Sequence, residues 1–339
     1  MSLLALDIGG ANLKAADGRG WARTVPFPLW RDPHGLSAAL SSLMESAPAA
    51  ERICLTMTGE LCDCFRTKKE GVDHILASVQ QVSGGREIWV YLVDGRLVRV
   101  QEARNLPTLV AASNWHALAR FACRFVAERP GLLLDIGSTT TDIIPLVGGQ
   151  PRPVGLNDTD RLLAGELIYT GVVRTPICAI TERLPWGGTA CPVAAEWFAT
   201  AADAYVLLDK LPEDAHATWT PDGRPLSKEF CRERLARMIC TDATVFTMQD
   251  AQRMAVAVRS AQFDRIAKGV RQVIGQMPEP PVEAVVSGCG AFVAEEVVRR
   301  VMPRIHLISL AEHLGPAASV AAPAHALAVL ASETHGRLF

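Results

Sequence analysis

The chain opens with LLALDIGG (3–10), apolar except for Asp7 and closed by Gly9-Gly10. A short apolar run without polar alternation, bounded by glycine, predicts a strand buried on both faces. The pattern continues with strands over 11–16 and 21–27 and a helix over 37–46, where Leu40 and Leu43 share a face. A strand over 51–59 ends in Gly59, and Val72, Ile75, Leu76 and Val79 recur at helical spacing within 70–82. A strand at 87–93 and a helix at 108–127 complete this half. At Gly131 the pattern restarts. LLLDIGSTTTDI (132–143) aligns without a gap on LALDIGGANLKA (4–15), so Asp135 meets Asp7, Gly137 meets Gly9 and Asp142 meets Lys14. Two copies of one strand-turn-strand device predict two similar α/β domains facing each other.

The second half reads as strands over 140–146 and 152–156, then helices over 159–173, 227–239 and 249–276. A strand over 284–288, a helix over 291–302, a strand over 304–310 and an Ala-rich helix over 317–332 follow. Residues 174–226 carry Pro176, Pro185, Gly187, Gly188, Pro192, Pro212, Pro221, Gly223 and Pro225, which break regular structure. We read this stretch as an insertion with one helix near 192–204. The expected division is an N-terminal domain over 1–115, a C-terminal domain over 116–315 with the insertion near 174–226, and a connecting helix over 316–339 that returns toward the first domain.

Composition narrows the function classes. With 34 Lys plus Arg against 36 Asp plus Glu, the formal charge is −2, which excludes nucleic-acid binding driven by bulk charge. No apolar run is long enough for a membrane span, and the N-terminus lacks the basic start of a secretory leader. The nine cysteines include no C-x-x-C pair, and we expect reduced thiols in a cytoplasmic protein. A homodimer is the common arrangement for such a protein.

A strand that ends in aspartate and passes into a glycine-bearing turn suits phosphate and metal chemistry. Glycines let main-chain N–H groups approach phosphate oxygens, and the carboxylate holds Mg²⁺, usually through water. The bland alternatives are that Asp7 and Asp135 cap turns and that Lys14 is a solvated charge at a strand end.

The paired LALDIGGANLKAA and LLLDIGSTTTDIIPL, with VVSGCGAF (285–292) later, resemble the two phosphate motifs and the adenosine motif of the acetate kinase/sugar kinase/Hsp70/actin superfamily. The resemblance implies two ribonuclease-H-like (actin-like) domains with ligand in the cleft between them. It places Asp7, Asp135 and Asp142 at a metal. Gly9, Gly10, Asn12 and Lys14 fall on the first phosphate turn, and Gly137, Ser138, Thr139 and Thr140 on the second. Gly288, Cys289 and Gly290 fall on the third motif. There Cys289 interrupts the glycine-rich form usual for ATP, which fits a ligand carrying diphosphate without adenosine.

TMTGELCDCFRTKKEGV (56–72) and DTDRLLAGELIYTGVVRTPI (158–177) resemble hydantoinase/oxoprolinase-related proteins of tetrahydromethanopterin-linked C1 metabolism. Archaeal members of that group are similar to an enzyme of methanofuran biosynthesis. The resemblance implies a transferase that joins an aminomethylfuran-methyl diphosphate donor to the phenol of a glutamyltyramine-type acceptor and releases diphosphate. Mg²⁺ and Lys14 would neutralise the leaving group, and a carboxylate would take the phenol's proton. Glu60, Asp63 and Glu166 are the candidates for that base, with Lys68 and Arg174 as substrate ligands. For Glu60 the alternative is a helix cap, for Glu166 an exposed helix face, for Lys68 a solvated turn and for Arg174 a helix-end cation. The competing activities are an ATP-dependent small-molecule kinase, a hydantoinase-like hydrolase and, from another class, a non-catalytic nucleotide-dependent regulator.

Overall fold

A computed structural model describes residues 2–126 and 128–336. The strands are β1 (Leu3–Ile8), β2 (Asn12–Ala16), β3 (Ala22–Pro26), β4 (Arg52–Met57), β5 (Glu87–Tyr91) and β6 (Leu97–Arg99) in the first half. The second half has β7 (Gly131–Ile136), β8 (Thr141–Val147), β9 (Gln150–Pro151), β10 (Leu167–Ile168), β11 (Arg183–Trp186), β12 (Thr189–Pro192), β13 (Glu283–Ser287) and β14 (His306–Ser309). The first sheet runs β3-β2-β1-β4-β5-β6 and the second β10-β8-β7-β13-β14, with β9 also on β8. In each, a central strand pairs with an antiparallel hairpin partner on one side and two successive parallel strands on the other. That is the ribonuclease-H-like order, built twice. The hairpin registers also match: Asp7 lies opposite Lys14, and Asp135 opposite Asp142.

The period-two rule of a strand then decides what faces what. Leu4, Leu6 and Ile8 pack outward against the helices Leu36–Glu45 and Lys68–Val82, through Leu40, Leu43, Val72, Ile75 and Val79. Leu132, Leu134 and Ile136 pack outward in the other half, against the long helix Met248–Gln276 and the helix Ala291–Val301. The odd-numbered positions turn to the middle. There Leu3 and Ala5 of β1 and Leu133 of β7 share one apolar cluster with two small-residue helices, Asn114–Ala122 and Ala322–Gly336. Ala117, Ala119, Ala122, Ala326, Ala328 and Ala331 let these two helices cross closely between the sheets. By the same parity Asp7 and Asp135, at the carboxyl ends of their strands, belong to the inner faces.

Several expected elements differ, each for a local reason. The helix expected over 159–173 ends at Ala164, because Gly165 takes a left-handed C-cap (φ 78°) and the chain turns back to lay β10 beside β8. The helix expected over 108–127 is broken into Pro107–Val110 and Asn114–Ala122, with Ala112 at φ 48° between them. No strand forms over 152–156; the short β9 precedes it. Within 174–226 a β11–β12 hairpin turns on Gly187 and Gly188, both at positive φ, and in place of one helix over 192–204 the chain forms a single turn at Ile177–Ile180 and a helix at Ala201–Leu207. The insertion is tied to its domain by the buried Asp203–Arg234 pair at 2.7 Å. The expected boundary at 115/116 lies in the first turn of Asn114–Ala122. Among the described residues no single helix is long and apolar enough to cross a membrane.

Candidate active site between the two hairpins

Three charged side chains from the two hairpins meet across the inner space. Asp7 is 1 % exposed, and its Oδ2 accepts a hydrogen bond from Lys14 Nζ at 3.3 Å while its Oδ1 is buried without a partner. Burial alone would lower the Lys14 pKa, but Asp7 and Asp135 outweigh it and hold the ammonium above its ordinary value. Asp135 belongs to the opposite hairpin, so Lys14 serves carboxylates of both sheets. Burial and the nearby Asp142 push Asp135 up to about 6, against the pull of Lys14 and the Ser287 hydroxyl. Asp142 itself is in close ion contact with Arg161, whose side chain is 2 % exposed.

The turns beyond these aspartates have their carbonyls committed elsewhere. Gly10 O accepts from Leu29 N at 2.9 Å, and Gly137 O from Val172 N at 3.1 Å. In a planar trans peptide the next N–H points the opposite way, so the Ala11 and Ser138 amides face away from those supporting segments. Gly171 backs the second turn so tightly that a Cβ there would lie 2.5 Å from Thr139 N. Gln262 of the long helix holds this backing in place, donating to Thr170 Oγ1 at 2.8 Å and Gly171 O at 2.9 Å. Gly288 sits at φ 88°, where a Cβ would be 2.2 Å from Ile136 O and 2.8 Å from Asp135 Oδ1. Only glycine brings the third motif this close to Asp135. Cys289 beside it is exposed and senses both Asp135, which raises the pKa of its thiol, and Lys14, which lowers it.

A second group of charges alternates in sign across the domain boundary. Asp142 contacts Arg161, Arg161 Nη1 lies 3.7 Å from Asp158, Asp158 pairs with Lys68 at 3.4 Å, and Lys68 faces Glu60. Glu60 is 1 % exposed with Oε2 unpartnered. Burial raises its pKa to about 7; Asp158 adds to the rise, while Lys68 and the amides of Glu60 and Ala112 oppose it. The left-handed Ala112 is thus aimed at Glu60, and strain there of about 1–2 kcal/mol is held by its neighbours. One of those neighbours, Ser113, shares a 2.8 Å hydrogen bond with Thr56.

The remaining sequence candidates fall in different places. Asp63 is exposed beside Cys62 and Cys64. Glu166 is fully buried, and its two oxygens accept from the Val154 and Gly155 amides, so it anchors the loop ahead of the helix Asp158–Ala164. Asn12 opens β2, and Gly9 and Gly137 close their turns by donating to Asn12 O and Thr140 O. Ser138 and Thr139 hydroxyls lie 3.4 Å apart at the second tip. A Cβ at Gly290 would be 2.5 Å from Ile136 Cγ2, which makes that glycine a packing residue. Sequence reasoning passed over Arg161, which also stacks at 4.0 Å on Trp115 of the middle helix. Its signal lay in the DTDR run, where Asp158 and Arg161 have the spacing of an ordinary exposed helix pair. It also passed over Trp30, whose ring carries the Arg174 guanidinium at 4.5 Å.

Among the described residues no three His, Cys, Asp or Glu side chains converge as a ready metal cage. Mg²⁺ needs none, since it binds through one or two carboxylates plus water and substrate phosphate. The buried, unpartnered Asp7 Oδ1 and the neighbouring Asp135 fit that donor set.

A (4-{4-[2-(gamma-L-glutamylamino)ethyl]phenoxymethyl}furan-2-yl)methanamine synthase of Methanocaldococcus jannaschii is 31% identical over 331 residues, 97% of each chain. The synthase of the same name from Methanococcus vannielii is 29% identical over 201 residues, 59% of this chain and 89% of that one. An archaeal actin homolog of known structure superposes with a TM-score of 0.49 at 12% identity, over 98% of this chain and 100% of the other. The sequence profile of the hydantoinase/oxoprolinase family matches residues 52–334, and the chain belongs to that family.

Proposed function

We propose that the protein is a furanylmethyl transferase of methanofuran-type cofactor assembly, linked to tetrahydromethanopterin C1 metabolism. Its two archaeal relatives are named as synthases of a furan methanamine ether, which supports an enzyme acting on small molecules. The donor is an aminomethylfuran-methyl diphosphate and the acceptor the phenol of a glutamyltyramine-type amine. The C–O bond between the furan CH₂ and diphosphate breaks, and its electron pair leaves with the diphosphate. The phenol oxygen forms the new bond to CH₂, and its proton passes to a carboxylate. The electron-rich ring stabilises positive charge developing on the CH₂.

In this reading the hairpin tips hold the diphosphate. Lys14 and the Ala11 and Ser138 amides face the departing oxygens as fixed donors. Mg²⁺ bound by Asp7 and Asp135 would supply further charge neutralisation. Glu60 accepts the phenol's proton. A free phenol has a pKa of about 10, and a base near the working pH is the most effective partner. Glu60, buried and raised to about 7 with Oε2 unpartnered, is the single observation that carries the assignment of the base. Asp63 is exposed, and both oxygens of Glu166 are already occupied.

The test is a pyrophosphate-release assay with synthetic furan diphosphate and a series of phenolic amines. Release only when donor and acceptor are both present, with ether formed in equal amount, is the expected result. ATP turnover with a hydroxyl acceptor and no ether would overturn the reading in favour of a kinase.

A further inference from the structure

Trp30 and Arg174 come from opposite halves of the molecule, yet each is attached directly to a hairpin tip. Trp30 follows Leu29, whose amide donates to Gly10 O at 2.9 Å in the first tip. The amide of Arg174 donates to Ser138 O at 2.9 Å in the second. The Arg174 guanidinium rests 4.5 Å above the Trp30 ring, which is 37% exposed. We propose that this pair is a latch across the cleft mouth and that Arg174 is a ligand of the diphosphate. The inference rests on the diphosphate-transfer reading above.

The argument is one of charge and geometry. The inner cluster brings together three carboxylates, Asp7, Asp135 and Asp142, against Lys14 and Arg161. A diphosphate entering this space adds more negative charge and requires cations beyond those already paired. Lys14, Lys68 and Arg161 are each committed to a carboxylate. Arg174 has no carboxylate partner among the described residues. It is also near the first tip: Cys62 feels its charge, and the Cys62 Sγ lies 2.8 Å from where a Gly10 Cβ would be. Stacking on an indole face leaves the N–H edge of a guanidinium free, and that edge matches two phosphate oxygens at once. Trp30 is then a positioning residue. It parks the guanidinium over the cleft and releases it toward the leaving group.

The measurement is calorimetric titration of inorganic pyrophosphate with Mg²⁺ into the full chain, with tryptophan fluorescence followed in parallel. Arg174→Gln should weaken pyrophosphate binding at least about 10-fold and raise the donor KM while leaving the phenolic acceptor KM unchanged. Arg174→Lys should fall between, since it keeps the charge and loses the fork. The wild type should change fluorescence on binding as the guanidinium leaves the indole. Trp30→Phe should lose that signal and bind with only a few-fold loss. Wild-type binding matched within two-fold by folded Arg174→Gln overturns the latch and leaves the transferase reading standing. Absence of pyrophosphate binding in the wild type, together with no ether formed, overturns both.

Discussion

The two hairpins share a frame and differ in charge. Strands β1–β2 and β7–β8 have the same register, the same inner-facing aspartate and the same turn closed by a glycine amide. At the matched partner position one carries Lys14 and the other Asp142. Lys14 reaches across to carboxylates of both hairpins, whereas Asp142 is neutralised from behind by Arg161. The duplicated fold supplies symmetry, and the site depends on breaking it. One hairpin delivers a cation to the centre, and the other keeps its extra anion turned to a helix. Without Lys14 the three carboxylates Asp7, Asp135 and Asp142 would face the inner space against Arg161 alone, and on the proposed reading would repel an anionic ligand.

The largest effect tests the shared part. Asp7→Asn and Asp135→Asn, each checked for folding by circular dichroism, should each lower kcat at least about 1000-fold in the pyrophosphate-release assay. Near wild-type rates in either would break the equivalence of the two hairpins. The next tests the proposed base, which neither hairpin provides. Glu60→Gln should cost about 100- to 1000-fold in kcat. In the wild type, rates should fall as pH drops through about 7, because a base must be deprotonated to accept the phenol's proton. That limb should vanish in the variant. The same substitution makes a stability prediction of definite sign. A carboxyl raised from 4.5 to about 7 leaves the folded state costlier as pH rises from 4.5 through 7. Glu60→Gln lacks that loss, so at pH 8 it should be more stable than wild type by about 3 kcal/mol in denaturant unfolding, and the gap should close below pH 4.5.

Smaller effects sharpen the asymmetry. Lys14→Gln should reduce kcat about 100-fold and raise the donor KM, with the acceptor KM unaffected. Glu166→Gln should cost about 1–3 kcal/mol in denaturant unfolding, because one of two loop amides loses its acceptor. Its kcat should hardly change. A kcat loss equal to that of Glu60→Gln would shift the base to Glu166.

What the sequence made legible follows the range of the interactions. Strands β1 and β7, their aspartates and their duplication were readable because apolar runs, glycines and a gapless repeat are local signals. The helix over Lys68–Val82 was equally plain, with Thr67 capping it through the Glu70 amide. The helix after Asp158 was overextended. Leu167, Ile168 and Tyr169 fit its apolar rhythm, and the left-handed Gly165 was the one residue that marked the stop. The long-range part of the site was not readable. That Arg161 would neutralise Asp142 and stack on Trp115, or that Arg174 would meet Trp30, depends on the packing of two halves. Glu60 stood out by position, but its raised pKa comes from burial that no local pattern records.

The causes of that raised pKa bear on how the proposed base would be reset. Besides burial, part of what keeps a proton on Glu60 near neutrality is Asp158, which belongs to the opposite half. On the transferase reading, a parting of the halves that let product out would admit water to the carboxyl and withdraw that repulsion. The side chain would then be a stronger acid and would shed to bulk solvent the proton taken from the phenol, so product exit and regeneration of the base would coincide.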